Sequence, residues 1–384
     1  MRPKSSRQSS VIRAAIVLLV ICLFIYVWNR DDQYWDSFKC IGPDSAPLSH
    51  EEFRSLSPDD LANPHEPYNI DEPTISNIDL TALTTTKKFT DRVLILTPLR
   101  DAAAHLSTHF TLLSQLTYPH DAIDLAFLVG DCTDDTHTTL KSELTILQAE
   151  TNPQRFRSAM IVQKDFGDTL GQSVEERHSF AAQGVRRKAI ARARNYLLYA
   201  ALRPVHDWVY WRDVDIVENP ETILEDFMAH DKDVLVPNIW FHRYDKDGKD
   251  IEGRYDYNSW QESWWGRRLR RRLDKDIILA EGYKEYNAHR RTLNWMGNRH
   301  KDPKKEVHLD GIGGVNILVK ADVHRSGINF PCYAFENQAD TEGFAAMANR
   351  AGYSVVGLPN YIVWHIDTEE KEGNLKGRKK GEEE

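Results

Sequence analysis

From residue 92 onward the chain repeats one pattern: a short apolar run, then a longer amphipathic stretch, then another run. RVLILTP (92–98), LAFLVGD (125–131), AMIVQKD (159–165), DWVYW (207–211) and VLVPNIW (234–240) are too short for core helices. They also lack the alternation of a half-wet strand, so they read as strands covered on both faces. Between them, residues 102–116 place Leu106, Phe110 and Leu113 on one helical face. Residues 138–150, 184–202 and 220–230 suit further helices. Strands alternating with helices predict an α/β fold, a mostly parallel sheet with helices on both faces. Active sites of such sheets gather at the carboxyl ends of the strands. Residues 243–308 break the alternation and read as an insert holding Trp260, Trp264, Trp265, Trp295 and the basic run 266–272. The pattern then resumes with a strand over 313–322, a helix over 338–350 and extended chain over 353–366. This predicts one catalytic domain over 91–368.

The residues before it differ in kind. Arg2, Lys4, Arg7 and Arg13 precede the apolar run 14–28, which Val11 and Ile12 extend to 11–28 and which ends in Tyr26 and Trp28 without a small-residue cleavage pattern. The run predicts an uncleaved signal anchor, at the short end of what spans a bilayer, with residues 1–10 as a cytoplasmic tail. The domain would then be luminal, in a type II orientation. Residues 29–90, rich in Asp, Ser, Thr and Pro, read as a stem with local helix over 49–62. Residues 369–384 read as a charged tail. Cys40, Cys132 and Cys332 would face the lumen, and that odd number leaves one thiol without an intrachain partner. The net charge of −9 gives no global positive field to attract nucleic acid.

The apolar run 208–211 ends in Arg212, Asp213, Val214 and Asp215. Asp-x-Asp alone carries little information, since Asp231/Asp233, Asp245/Asp247 and Asp274/Asp276 match it in polar, lysine-containing stretches. The first pair stands apart because it follows a central strand. Residues i and i+2 of extended chain face the same way, and two buried carboxylates repel. A divalent cation such as Mg²⁺ or Mn²⁺ resolves the conflict and leaves positions open for phosphate oxygens. The bland alternative is that Arg212 or another arginine pairs with the acids. A metal there serves a transferase with a diphosphate leaving group, a phosphatase or a nuclease equally well.

TPLRDA, LVGDCTDDT, ARARNYLL, VYWRDVDI, HDKDVLVPNIW, DGIGGVNILVKADVHRSG, TEGFAAMANRAGY and GLPNYIVWHI occur in order over about 90–368. Together they resemble fungal glycosyltransferase family 62, the α-1,6-mannosyltransferase subunits of the Golgi mannan polymerase complexes. The resemblance implies a GT-A (Rossmann-like) fold, GDP-mannose as donor, Mn²⁺, a type II anchor in the Golgi membrane (cis-Golgi by the short span) and assembly with related subunits. The acceptor it implies is an α-mannoside of the N-glycan mannan backbone, in fungal cell-wall and protein N-glycosylation. It makes Asp213 and Asp215 the metal pair and His365 a further ligand; on its own residues, a lone histidine after tryptophan is more often a hydrogen-bonded core residue than a ligand.

Further site residues follow with their alternatives. Pro98 and Arg100, at the end of the first strand, would border the nucleoside. Asp131 would accept from a guanine edge or face a helix N-terminus. Helix 184–202 carries Arg186, Arg187, Lys188, Arg192 and Arg194; Arg187 and Arg194 share a face and, with Asn195, are the choice for holding diphosphate. Gly313 allows close approach to a sugar or marks a bulge. Glu342 is an acceptor-side acid or a helix-dipole carboxylate. The expected activity is retaining transfer from GDP-mannose; the alternatives are a scaffold subunit with little chemistry of its own and a membrane-anchored metal-dependent phosphohydrolase.

Overall fold

The computed structural model describes residues 91–167, 180–245, 247–280 and 285–367, with Leu19. The expected tails, stem and, apart from Leu19, the anchor lie outside the described residues. Among the described residues no helix is long and apolar enough to cross a membrane. The strands below belong to the compact unit formed by Pro47–Asn349 and Tyr353–Glu384.

Strand β1 (Val93–Leu99) is buried along nearly its whole length, as its unbroken apolar run requires. It pairs in parallel with β2 (Ile123–Val129), which in turn pairs with β3 (Ser158–Gln163). Helices α1 (Ala103–Ser114) and α2 (Thr136–Leu147) make the crossovers, burying Leu106, Phe110 and Leu113 and Leu140, Leu144 and Leu147. Helix α3 (Phe180–Ala201) leads to β4 (Trp208–Arg212), parallel to β1 on its other side. After the short β5 (Ile216–Glu218), helix α4 (Ile223–Met228) leads to β6 (Val234–Phe241).

The insert is built from small pieces: β7 (Gly253–Arg254), β8 (Trp260–Gln261), α5 (Trp264–Arg270), β9 (Arg291–Thr292) and β10 (Val307–His308). The sheet resumes with β11 (Asn316–Lys320), α6 (Ala321–Arg325), α7 (Asp340–Arg350) and β12 (Val355–His365). Among the described residues one sheet runs in the order β10-β12-β6-β11-β4-β1-β2-β3, with β5 on β12 and β7 on β6; β8 and β9 form a separate ribbon. The fold is α/β, with a mostly parallel sheet flanked by helices. Strand β11 is shorter than its sequence pattern and runs antiparallel to both β4 and β6. The chain reaches it through the insert and not through a helical crossover, so nothing imposes parallel pairing.

Two features of this layout position the site. The carboxyl ends of β1, β2 and β4 share one rim, with Leu99 beside Val129 and Leu96 beside Trp211. Strand β12 pairs with β6 in parallel, but its register shifts between Leu358 and Ile362, around Pro359. Proline cannot donate to a ladder and sits at such irregularities. Beyond the shift, β12 reaches β5 antiparallel, setting His365 against Ile216.

Candidate active site

At the end of β4 the ladder continues for one residue: the Asp213 amide donates to the Val315 carbonyl at 2.9 Å. Asp215 is tied from the other direction, its carbonyl accepting from the Ile366 amide at 3.1 Å. That bond brings His365, 2% exposed, to Asp215, with Nε2 3.0 Å from Oδ1. The other ring nitrogen, Nδ1, lies 2.8 Å from the Ile366 carbonyl, which only accepts, so Nδ1 carries a proton. The Asp215 carboxylate also only accepts, so the 3.0 Å contact sets Nε2–H against it; Nε2 offers a lone pair to a metal once that proton is lost. Asp215 Oδ1 is buried and takes part in no well-formed hydrogen bond.

The electrostatics follow from burial. Removal from water pushes Asp213 up to about 6; Arg194 opposes this and the Asp215 charge adds to it. Asp215 moves the other way, because contact with His365 outweighs its own burial. His365 is raised: burial disfavours the imidazolium, but the adjoining Asp215 carboxylate outweighs it. On the α1 side Arg212 is 2% exposed, with Nε and Nη2 unpaired. Beside it His109 is held neutral by burial and then by the Arg212 charge. Among the described residues Arg212 forms no ion pair with either acid; the nearest arginine is Arg194, 3.8 Å from Asp213 Oδ1.

A cavity of about 270 Å³ opens at this rim, lined by Pro98, Arg100, Asp131, Phe166, Arg194, Asp213 and Asp215 among others. The two strand-end turns, one helix-α3 arginine and the acid pair thus meet in one place. Other expected roles need correction. Asp131, at φ 50°, turns its carboxylate to the amides of Phe166 and Gly167, both at 3.0 Å, while its own amide donates to Asp165. This clasp joins the ends of β2 and β3 at the cavity wall, and the N-cap position of the following helix is Asp135 and not Asp131. Asn195 leaves the site altogether, donating to and accepting from the Phe330 backbone.

Arg187 and Arg194 do share a face of α3, but each meets an acid from the start of α7. Arg194 pairs with Asp340 at 2.5 Å and Arg187 with Glu342. Glu342 is fully buried and also accepts from Trp260 Nε1 at 2.8 Å, so it faces no open acceptor space. Gly313 approaches a side chain and not a sugar: a Cβ there would lie 2.3 Å from the Asp256 carboxylate. A Cβ on Gly314 would lie 2.4 Å from Arg194 Nη2. Trp260 is core, with Arg290 3.6 Å over its ring; Trp264, Trp265 and Trp295 are exposed. Cys132 and Cys332 are free thiols, and Cys40 lies outside the described residues.

Among the described residues, the acidic, thiol or imidazole donors that all lie within 4.8 Å of one another are those of Asp101, Cys132 and Asp134. Their oxygens are taken by turns: Asp101 accepts from Thr133, and Asp134 from Ala103 and Thr136. Asp213, Asp215 and His365 do not converge as closely, since Asp213 leans toward Arg194.

A profile of the Anp1 family matches residues 74–334, more than half of the chain. The chain belongs to the Anp1 family. This Anp1-family chain is 43% identical to the mannan polymerase II complex anp1 subunit of Schizosaccharomyces pombe, over 95% of its own length and 82% of that relative. It is 50% identical to the mannan polymerase II complex ANP1 subunit of Saccharomyces cerevisiae, over 72% of its own length. It spans 55%, about half, of that longer relative. Among solved structures it is similar to the mannosyltransferase PcManGT from Pyrobaculum calidifontis in complex with GDP-Man and Mn²⁺. That identity is 14% and the TM-score 0.39, over 72% of this chain and 57% of the other, too slight to carry an argument about substrate.

Sequence reasoning about this Anp1-family chain missed residues around the acids. Asp340 is the partner of Arg194, and its place two residues before Glu342 was the available signal. Asp256 is buried, accepts from Ser259 Oγ at 2.5 Å, and is raised by that burial. Tyr255 stacks on His365. Both lie in YDYNSW, which carries no motif.

Proposed function

We propose that this Anp1-family chain is a metal-dependent glycosyltransferase of the GT-A type. It would transfer mannose from GDP-mannose to an α-mannoside acceptor, making an α-1,6 linkage with retention. The observation that carries the reading is the meeting of Asp215 with His365 beside Asp213, at a strand-end rim that opens into a cavity of about 270 Å³. Two carboxylates and an imidazole suit Mn²⁺, and Asp215 Oδ1, buried with His365 3.0 Å away and no well-formed hydrogen bond, fits a ligand oxygen. Mn²⁺ held by Asp213, Asp215 and His365 would supply Lewis-acid stabilisation of the departing diphosphate.

The chain's own residues do the rest. His365, protonated at Nδ1, presents Nε2 to the acid pair. Buried Arg212 and Arg194 add positive charge near the acids, in surroundings where charge acts strongly. Pro98 and Arg100 form the cavity wall on which the nucleoside rests. The donor is α-linked and so is the proposed product, so the acceptor attacks on the face the diphosphate leaves, and a leaving-group oxygen takes the acceptor proton. The same reading puts the domain in the Golgi lumen, anchored by residues 11–28 and assembled with related subunits; the anchor sequence and the relatives' names support it.

The test is Mn²⁺-dependent transfer from labelled GDP-mannose to α-mannobiose, with the linkage determined. Asp215→Ala is expected to abolish transfer with the fold intact; near wild-type turnover would overturn the site. A second reading, a scaffold subunit, draws on one observation: Arg187 and Arg194 already answer buried acids. Calorimetric titration with GDP and Mn²⁺ separates the two, since a scaffold would release no heat.

A further inference from the structure

We propose that Tyr255, in the insert, is a positioning residue for His365, holding the imidazole face-on so that Nε2 stays aimed at the acid pair. The inference rests on the metal-site reading above and deepens it. The two rings lie with centroids 3.8 Å apart and planes inclined by 21°, close to full stacking. Tyr255 is itself pinned: its amide donates to the Ile239 carbonyl at 3.0 Å, carrying the β6–β7 ladder one residue further.

An imidazole has two ways to lose its aim, tilting out of plane and rotating within it. The Nδ1 contact with the Ile366 carbonyl resists in-plane rotation. The Tyr255 face resists tilt. The Ile366 carbonyl is the kind of partner that fixes the tautomer and ring orientation of metal-binding histidines, and the stack adds resistance to tilt. Tyr255 is also near both acids, whose charges, after burial, push its phenol above the usual range.

The neighbours of Tyr255 show that this stretch of the insert is fixed to the site and does not merely pass over it. Asn258 Oδ1 accepts from Arg187 at 2.9 Å, and Ser259 Oγ accepts from the Gly313 amide at 2.9 Å. The stretch 255–259 therefore joins β6, α3, the Gly313 turn and the end of β12. A stacking contact needs a planar face and no hydroxyl, so the side chains that can replace tyrosine are aromatic ones.

The experiment measures Mn²⁺ affinity of the full chain without nucleotide, by electron paramagnetic resonance of free Mn²⁺. Variants are Tyr255→Phe, Tyr255→Leu and His365→Ala, each checked for native circular dichroism. Tyr255→Leu is expected to bind Mn²⁺ roughly 10–100-fold more weakly, the usual loss when a ligand's supporting partner is removed. Tyr255→Phe is expected to keep most of the affinity, a rescue that loss of fold would not give. If Tyr255→Leu fails to fold, Tyr255→Met, which fills the space without a planar face, replaces it. If His365→Ala loses affinity and the Leu or Met variant does not, the positioning role is overturned and the metal site stands. If His365→Ala binds as wild type does, the ligand reading falls and the inference with it.

Discussion

Replacing Arg187 with methionine separates two roles that one arginine can play. If Arg187 existed to grip diphosphate, Arg187→Met would weaken donor binding and leave stability nearly unchanged. The structure gives it a different task. Glu342 is fully buried and ion-paired to Arg187, with Trp260 Nε1 as its other donor. Methionine fills much of the space but leaves a carboxylate facing one neutral N–H. Breaking a buried pair from one side costs about 3–5 kcal/mol. At roughly 2–4 °C per kcal/mol for a large domain, melting should fall by on the order of 6–20 °C. The control is Arg187→Met with Glu342→Gln, which removes the stranded charge and should recover about 1–3 kcal/mol. Urea unfolding of the four proteins closes the cycle. A single-variant loss below about 1 kcal/mol, the scale of an exposed pair, would refute the reasoning. So would a double variant no more stable than the single.

Other outcomes follow from the same structure. Asp213 is raised to about 6 and His365 is also raised, so both must lose protons to bind a cation. Mn²⁺ affinity should therefore begin to fall as pH drops through the raised His365 range, above the ordinary imidazole value, and fall further below about 6 as Asp213 protonates; affinity that is level from pH 7.5 to 5 would refute the ligand set. Asp124 is lowered to about 2, because its bonds to His206 and Ser158 and the Arg157 charge outweigh its burial. Its contribution is present above the ordinary carboxylate range and lost as pH falls toward 2, so Asp124→Asn should flatten the acid limb of the melting profile. Gly130→Ala sets a Cβ 2.1 Å from the Lys164 carbonyl and should cost about 3 kcal/mol or more, whereas Gly184→Ala, whose nearest neighbour is 3.7 Å away, should stabilise helix α3 by up to about 1 kcal/mol. Melting temperatures of the two variants check both signs.

Much of the fold was legible because β1, β2 and β4 are wrapped on both faces, and such strands announce themselves as unbroken apolar runs. The rim position of Asp213 and Asp215 followed from that alone. Strand β11 looked like its neighbours because its four buried residues say nothing of direction, which the insert determines. The arginines of α3 were harder. Their shared face is a helical periodicity and was visible, but their partners lie on α7, far along the chain, and no local pattern marks which acid a cation will meet. Gly313 was expected to admit a sugar or mark a bulge, and sequence could not say that the Asp256 side chain fills the space there, or Arg194 the space at Gly314. Tyr255 left no trace at all, because stacking is a relation between two distant segments.

Among the described residues β12 is the last strand in the chain, and it brings His365 to Asp215. On the ribosome, the β1–β4 layer can pair while the histidine is still unsynthesised, since domains begin folding from the N-terminal side. On the proposed reading, a nascent chain halted before Val355 would own its aspartates and still lack the histidine of the ion site. Completing that site would require β12, which also pairs with β6, so a premature stop there would remove the site and uncover a buried strand together.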